Sequence, residues 1–153
     1  MRDLSPAFQA VSSVRAVSSV SLDGPRIILI PMPGETHTFG LSMVYEFFHQ
    51  AGWNAWTGPI ASSAVLCGLV RSEWVEVTGL SLACDDMLDT ACKQIAAVRR
   101  ASRNPKMGVL VGGPGFVANP ALAASIGADG TATDGRMAVL QAQAMMDEAV
   151  YFR

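Results

Sequence analysis

The feature that most constrains this chain is a repeated alternation of short apolar runs with residues at helical spacing. Arg26–Ile30 is a branched aliphatic run that stops at a Pro- and Gly-bearing segment, Pro31–Gly40. Leu41, Val44 and Phe48, widened by Met43 and Phe47, then recur at helical spacing until Ala51-Gly52. Trp53–Trp56 is a short strand candidate, and Ile60–Val70 a helix of small residues. Trp74–Leu80 reads as the third strand; Asp85 and Asp86 open a helix that Met87, Ala91, Ile95 and Val98 carry to about Arg100. Gly108–Val111 predicts a fourth strand ending in the loop Gly112–Gly115. Asn119-Pro120 caps a short helix through Ile126, Gly130–Thr133 is a fifth strand, and Asp134–Phe152 closes the chain as a helix. Strands that alternate with helices are joined by crossovers, which demand parallel pairing and a sheet covered on both faces. The expected fold is α/β, a five-stranded doubly wound parallel sheet of the flavodoxin-like order 2-1-3-4-5, with its crevice beside strands one and three.

The length of 153 residues suits one domain, set at 25–153, with residues 1–24 as a linker or flexible N-terminal segment. That segment carries Ala-Val-Ser-Ser-Val twice, at 10–14 and 16–20, and a loosely docked helix over Pro6–Val20 is the other reading. Half the residues are hydrophobic, yet no apolar run reaches the roughly 18 residues of a membrane span. Residues 1–24 also lack the continuous apolar segment of a leader, so a soluble cytoplasmic protein is expected. Cys67, Cys84 and Cys92 fit neither a disulfide framework nor a zinc spacing, and reduced thiols follow. Net charge is −2, and the one basic cluster, Arg99, Arg100 and Arg103, reads as the complement of a helix C-terminus. Neither direct nucleic-acid binding nor membrane association is expected.

Three unusual loops fall at the same edge of this sheet: Glu35–Gly40 after strand one, Ser81–Ala83 after strand three and Gly112–Gly115 after strand four. Their small residues would let a large flat ligand approach the backbone closely. His37, one of two histidines, follows the carboxylate of Glu35 by two residues, and a carboxylate commonly orients a metal-bound imidazole. His49 ends an apolar helix and reads as a helix-terminal residue. Cys84 stands at the ligand edge as a redox-sensitive thiol or a small buried hydrophobe, whereas Cys67 and Cys92 read as packing. The methionines are core filler, with Met32 and Met43 the nearest in sequence to a sixth ligand position, and Trp53 and Trp56 pack at the sheet edge. No nucleophile–histidine–carboxylate arrangement assembles from two histidines, and no phosphate-cradling glycine loop is present. Strand three ends in Ser81 where a receiver domain places its phosphorylated aspartate. No catalytic residue is expected, and the chain reads as a binding domain and not an enzyme.

Glu35-Thr36-His37-Thr38-Phe39-Gly40 resembles the Asp-x-His-x-x-Gly signature of cobalamin-binding domains. Ser81-Leu82-Ala83 and Gly112-Gly113 are similar to the Ser-x-Leu and Gly-Gly motifs that follow in that family, and Gly127–Gly130 looks like its segment before the last strand. The resemblance covers about residues 25–150. It implies that His37 is the lower ligand of the metal and Glu35 the partner of its imidazole. Thr38, Gly40, Ser81, Ala83, Gly112 and Gly113 would then border the cofactor, the serine and glycines making room for a nucleotide tail. Glu35 stands where the family has Asp, and Ala83 where it has Leu. The wording Glu-x-His-Thr-Phe-Gly is also similar to a branch of this family, the AppA- and PpaA-type photosynthesis antirepressors, in which the sensor domain contains heme in place of cobalamin. On that likeness heme is the first-choice cofactor and cobalamin the alternative. The function implied is a tetrapyrrole-binding sensor of light, redox state or tetrapyrrole level that acts on a transcriptional repressor or other regulator protein. The alternative is the cobalamin-carrying module of a corrinoid methyltransferase or mutase.

Overall fold

The structure, a computed structural model, describes residues 24–32, 39–57, 62–82 and 87–151. Five strands, β1 (Arg26–Pro31), β2 (Asn54–Thr57), β3 (Val77–Ser81), β4 (Gly108–Gly112) and β5 (Gly130–Thr131), form one sheet in the order β2-β1-β3-β4-β5. Every pairing is parallel, so the expected architecture and strand order hold. The helices are α1 (Phe39–Gln50), α2 (Ser63–Ser72), α3 (Leu88–Ala101), α4 (Pro114–Ala118), α5 (Ala121–Ser125) and α6 (Gly135–Tyr151).

A parallel sheet covered on both sides needs apolar residues at every position of its central strands, and Ile27 to Ile30 are all essentially inaccessible to solvent. Alternation of side chains splits them between two cores. Ile28 and Ile30 face α2 and α3, where they meet Leu66, Leu69, Ile95 and Val98. Ile27 and Leu29 face α1 and α6, where they meet Tyr45, Phe48, Ala138 and Ala142. Each such side chain, fully buried, contributes about 1.5–3 kcal/mol.

Several expected boundaries shift, each for a local reason. The third strand starts at Val77 and not Trp74, because the preceding residues are tied elsewhere. Glu76 exchanges bonds with Arg26 (Arg26 N to Glu76 Oε2, 2.6 Å; Glu76 N to Arg26 O, 3.0 Å), and the carbonyl of Val75 accepts from Asn104 Nδ2. The Arg26 guanidinium is itself buried against Glu73 at 2.5 Å. The fifth strand stops at Thr131 instead of Thr133, since Asp134 already turns to accept Met137 N at 2.8 Å and start α6. The loop expected at Gly112–Gly115 is partly helix: α4 forms there because buried Phe116 anchors it and Gly113 O accepts from the amides of Phe116 and Val117. Asn119 accordingly closes α4, and α5 opens at Pro120 with no side-chain cap.

Cys92 is exposed and not packed, because it lies off the Ala91–Gln94–Ile95–Val98 stripe that α3 buries. Arg99 and Arg100 lie in the last turn of α3, as expected, and Arg99 also reaches Asp129 Oδ2 at 2.8 Å and Gly127 O at 2.7 Å. Arg103 lies beyond α3 and donates to Ser72 O at the close of α2. Trp53 and Trp56 pack at the sheet edge as expected, and His49 stacks on Tyr45 in α1. The expected linker at 1–24, up to residue 23, and the acidic helix start at 85–86 lie outside the described residues. No helix among the described residues is long and apolar enough to cross a membrane.

Candidate functional site

The carboxyl ends of the three central strands finish level, with Pro31 opposite Ser81 and Ser81 opposite Gly112. Two further main-chain bonds hold the chain just beyond them in register, Met32 N to Ser81 O at 2.8 Å and Leu82 N to Gly112 O at 3.1 Å. Two residues down each strand, on the face toward α1 and α6, the row reads Leu29, Gly79, Leu110. A side chain on the middle strand would fill the space between the sheet and those two helices. Gly79 supplies none, and Leu29 leans into part of the room it leaves, so that a Cβ at position 79 would lie 2.7 Å from Leu29 Cδ2.

The rest of that room is a cavity of about 800 Å³ that opens at the carboxyl edge. Leu41, Val44 and Phe47 of α1 form one wall, Ala138 of α6 the opposite one, and Ser81, Gly112 and Gly113 the mouth. A Cβ on Gly112 would meet nothing within 4 Å, so this glycine faces open space. Gly113 differs: its φ is 132°, and a Cβ there would sit 1.9 Å from Leu82 O. Only glycine lets the chain leave β4 that close to the Leu82 backbone and enter α4. Gly135 performs a similar service where α6 begins, since a Cβ would press on the Phe47 ring at 2.5 Å and part α6 from α1.

The walls are almost wholly carbon. Polar side chains among the described residues border the cavity only at Ser81, Thr133 and Asp134, and Asp134 spends one carboxylate oxygen on capping α6. Among the described residues no three His, Cys, Asp or Glu side chains converge as a metal site. The arrangement can therefore seat a flat or elongated apolar group that enters edge-on from the strand ends.

Of the residues singled out from sequence, Ser81, Gly112 and Gly113 come together at the mouth. Gly40 falls in the first turn of α1. Glu35, His37, Thr38, Ala83 and Cys84 lie outside the described residues, in segments that join Met32 to Phe39 and Leu82 to Met87. Met32 cannot offer its sulfur to this cavity, because it is buried in the opposite core with Leu80 and Phe116; Met43, by contrast, borders the cavity and is exposed, so it is not core filler. Sequence reasoning missed Gly79, the Leu29 and Leu110 flanks and the wall from α6. A glycine inside an otherwise apolar strand run was the available signal, since such a position marks a close approach of ligand or backbone.

The B12 binding domain family model matches residues 25–140. No curated protein sequence matches the chain. Among solved structures, a cobalamin-binding protein from Desulfitobacterium hafniense DCB-2 superposes with a TM-score of 0.71 at 20% identity, over 79% of this chain and 58% of that one. The Methanosarcina barkeri monomethylamine corrinoid protein gives 0.65 at 15% identity, over 81% and 57%. A CheY-like protein from Pseudomonas aeruginosa PAO1 gives 0.58 at 17% identity, over 82% and 94%. At these identities the likenesses establish the sheet order and helix placement that a receiver also shares, and the chain spans under three-fifths of the first two proteins. The family match runs from the residue before β1 into α6 and takes in every strand: the chain belongs to the B12 binding domain family.

Proposed function

We propose that this chain is a cobalamin-carrying module that holds a corrinoid through its lower face and presents it to a partner. The observation that carries the reading is the cavity behind the strand ends. It descends past Ser81 and Gly112 to the Leu29–Gly79–Leu110 row, and Gly79 and Gly112 leave it unfilled. A heme needs an axial base and a flat slot, whereas a corrinoid with its nucleotide arm also needs a deep channel beside that slot. The family match and the two corrinoid-protein neighbours support the same choice. Heme, placed first on the Glu-x-His-Thr-Phe-Gly wording, and the antirepressor role that came with it, give way to the cobalamin alternative.

In this reading the His37 imidazole would hold the cobalt and Glu35, two residues away in sequence, would orient that imidazole. Thr38, Gly40 and Ala83 would border the ring, and Ser81, Gly112 and Gly113 would admit the nucleotide arm. A bound corrinoid supplies a cobalt centre able to carry a methyl group or to initiate a radical rearrangement. The chain's own work is binding and orientation: α1 and α6 enclose the arm in carbon and keep water from it, while no described side chain is placed to act on a substrate. The substrate and its reacting groups belong to another domain or protein.

The test is a titration of purified protein with hydroxocobalamin and, separately, hemin, followed by visible absorbance and by co-elution after gel filtration. Hydroxocobalamin should co-elute with a shifted spectrum, the shift should vanish in His37→Ala, and hemin should separate from the protein and elute later with the small molecules. Stable binding of hemin with none of hydroxocobalamin would overturn the reading and restore the heme sensor.

A further inference from the structure

We propose that the cavity selects among corrinoids by their lower base, favouring a benzimidazole over a purine. The inference rests on the corrinoid reading above and concerns the chemistry of the arm and not the cobalt. A base that enters past Ser81 and Gly112 meets Leu29 and Leu110 on the sheet, Leu41 and Val44 on α1 and Ala138 on α6. None of these side chains can donate or accept a hydrogen bond.

The carbonyls of Ser81, Gly112, Gly113 and Asp134 at the mouth are already engaged. Ser81 O accepts from Met32 N, Gly112 O from Leu82 N, and Gly113 O from Phe116 N and Val117 N. Asp134 O accepts from Ala138 N and its Oδ1 from Met137 N. Among the described residues, the remaining polar side-chain groups are the hydroxyls of Ser81 and Thr133 and the second carboxylate oxygen of Asp134, and all stand at the rim: Ser81 ends its strand half-buried, and Thr133 and Asp134 are exposed. The buried hydroxyl of Thr131 belongs to the Val111 row and faces the opposite core. Among the described residues, side-chain polarity is thus confined to the entrance, and the side chains of the interior are carbon.

A benzimidazole divides in the same way. Its nitrogens lie in the five-membered ring, at the end attached to the ribose, and its six-membered ring is hydrocarbon. A purine such as adenine carries two further ring nitrogens and an exocyclic amine on its six-membered ring. Driven into this cavity, those groups lose water and gain no partner, and each unsatisfied group weakens binding by roughly a factor of ten. The cavity therefore penalises the purine form by at least about tenfold even when some groups keep contact with the rim.

The experiment compares three probes on the unaltered full chain by equilibrium binding: hydroxocobalamin, the corresponding corrinoid with adenine as lower base, and cobinamide, which has no nucleotide. The expected order is hydroxocobalamin tightest, the adenine form at least about tenfold weaker, and cobinamide weakest. Ala138→Ser, which adds one hydroxyl to the carbon wall, should narrow the gap between the two bases. Equal affinity for the two complete corrinoids, equal affinity for all three probes, or a gap unchanged by Ala138→Ser would each overturn the assignment of selectivity to this cavity. Failure of all three to bind refutes the corrinoid reading itself, a result distinct from a loss of selectivity.

Discussion

Replacing Gly112 by Phe separates the cavity from the fold that creates it. Gly112 ends β4, is not among the glycines with positive φ, and a Cβ added there meets nothing within 4 Å. An aromatic side chain grown from this position would enter the cavity of about 800 Å³ that Gly112 borders. It would occupy the entrance that the account gives to the corrinoid base. An aromatic group of this size buries about 150 Å² of apolar surface, which at about 25 cal/mol per Å² corresponds to about 4 kcal/mol. Loss of that burial weakens binding about a thousandfold, and stability should change by less than about 1 kcal/mol because a void is filled and not strained. Isothermal titration with hydroxocobalamin and thermal unfolding of the same samples read the two effects. Gly112→Ala, with one methyl group, should fall between wild type and Gly112→Phe. A folded Gly112→Phe protein with unchanged affinity would refute the claim that the arm enters here.

Other perturbations act on the fold. Gly113→Ala must relieve a 1.9 Å contact with Leu82 O at a left-handed φ, and should destabilise the protein by about 2–4 kcal/mol in urea denaturation. Glu73→Gln leaves the Arg26 guanidinium buried opposite a neutral group and should cost about 3–5 kcal/mol, while a joint exchange of both residues for apolar side chains of similar volume should cost much less. Leu66→Ala opens a cavity in the core beneath α2 and should lower stability by about 2–5 kcal/mol, with no change in corrinoid affinity, because Leu66 packs on the sheet face opposite the cavity.

The central strands were legible in the sequence because Ile27 to Ile30 are buried on both faces, and such a residue run has few alternatives. The parallel, doubly wound architecture followed from the alternation with helices, and the mouth from three small-residue loops at one edge. Ser81, Gly112 and Gly113 do meet there. The depth of the site was not legible, because Leu29, Gly79 and Leu110 become neighbours only once the register of three strands is set. The α6 wall was missed for the same reason: Ala138 lies far along the chain and has no motif of its own. Phe116 made a helical turn of a glycine-rich loop by burying one aromatic ring, a tertiary effect that local propensity does not report. The start of β3 likewise depends on Arg26, fifty positions before Glu76.

The proposition that most needs testing is that a corrinoid bound here takes the His37 imidazole as its lower ligand. Electron paramagnetic resonance of the cob(II)alamin-loaded protein reads that nitrogen through its splitting of the cobalt lines. In protein carrying ¹⁵N-labelled histidine, each three-line splitting should become two-line, and in His37→Ala the histidine-derived splitting should disappear. Splittings indifferent both to the label and to the substitution would contradict the account.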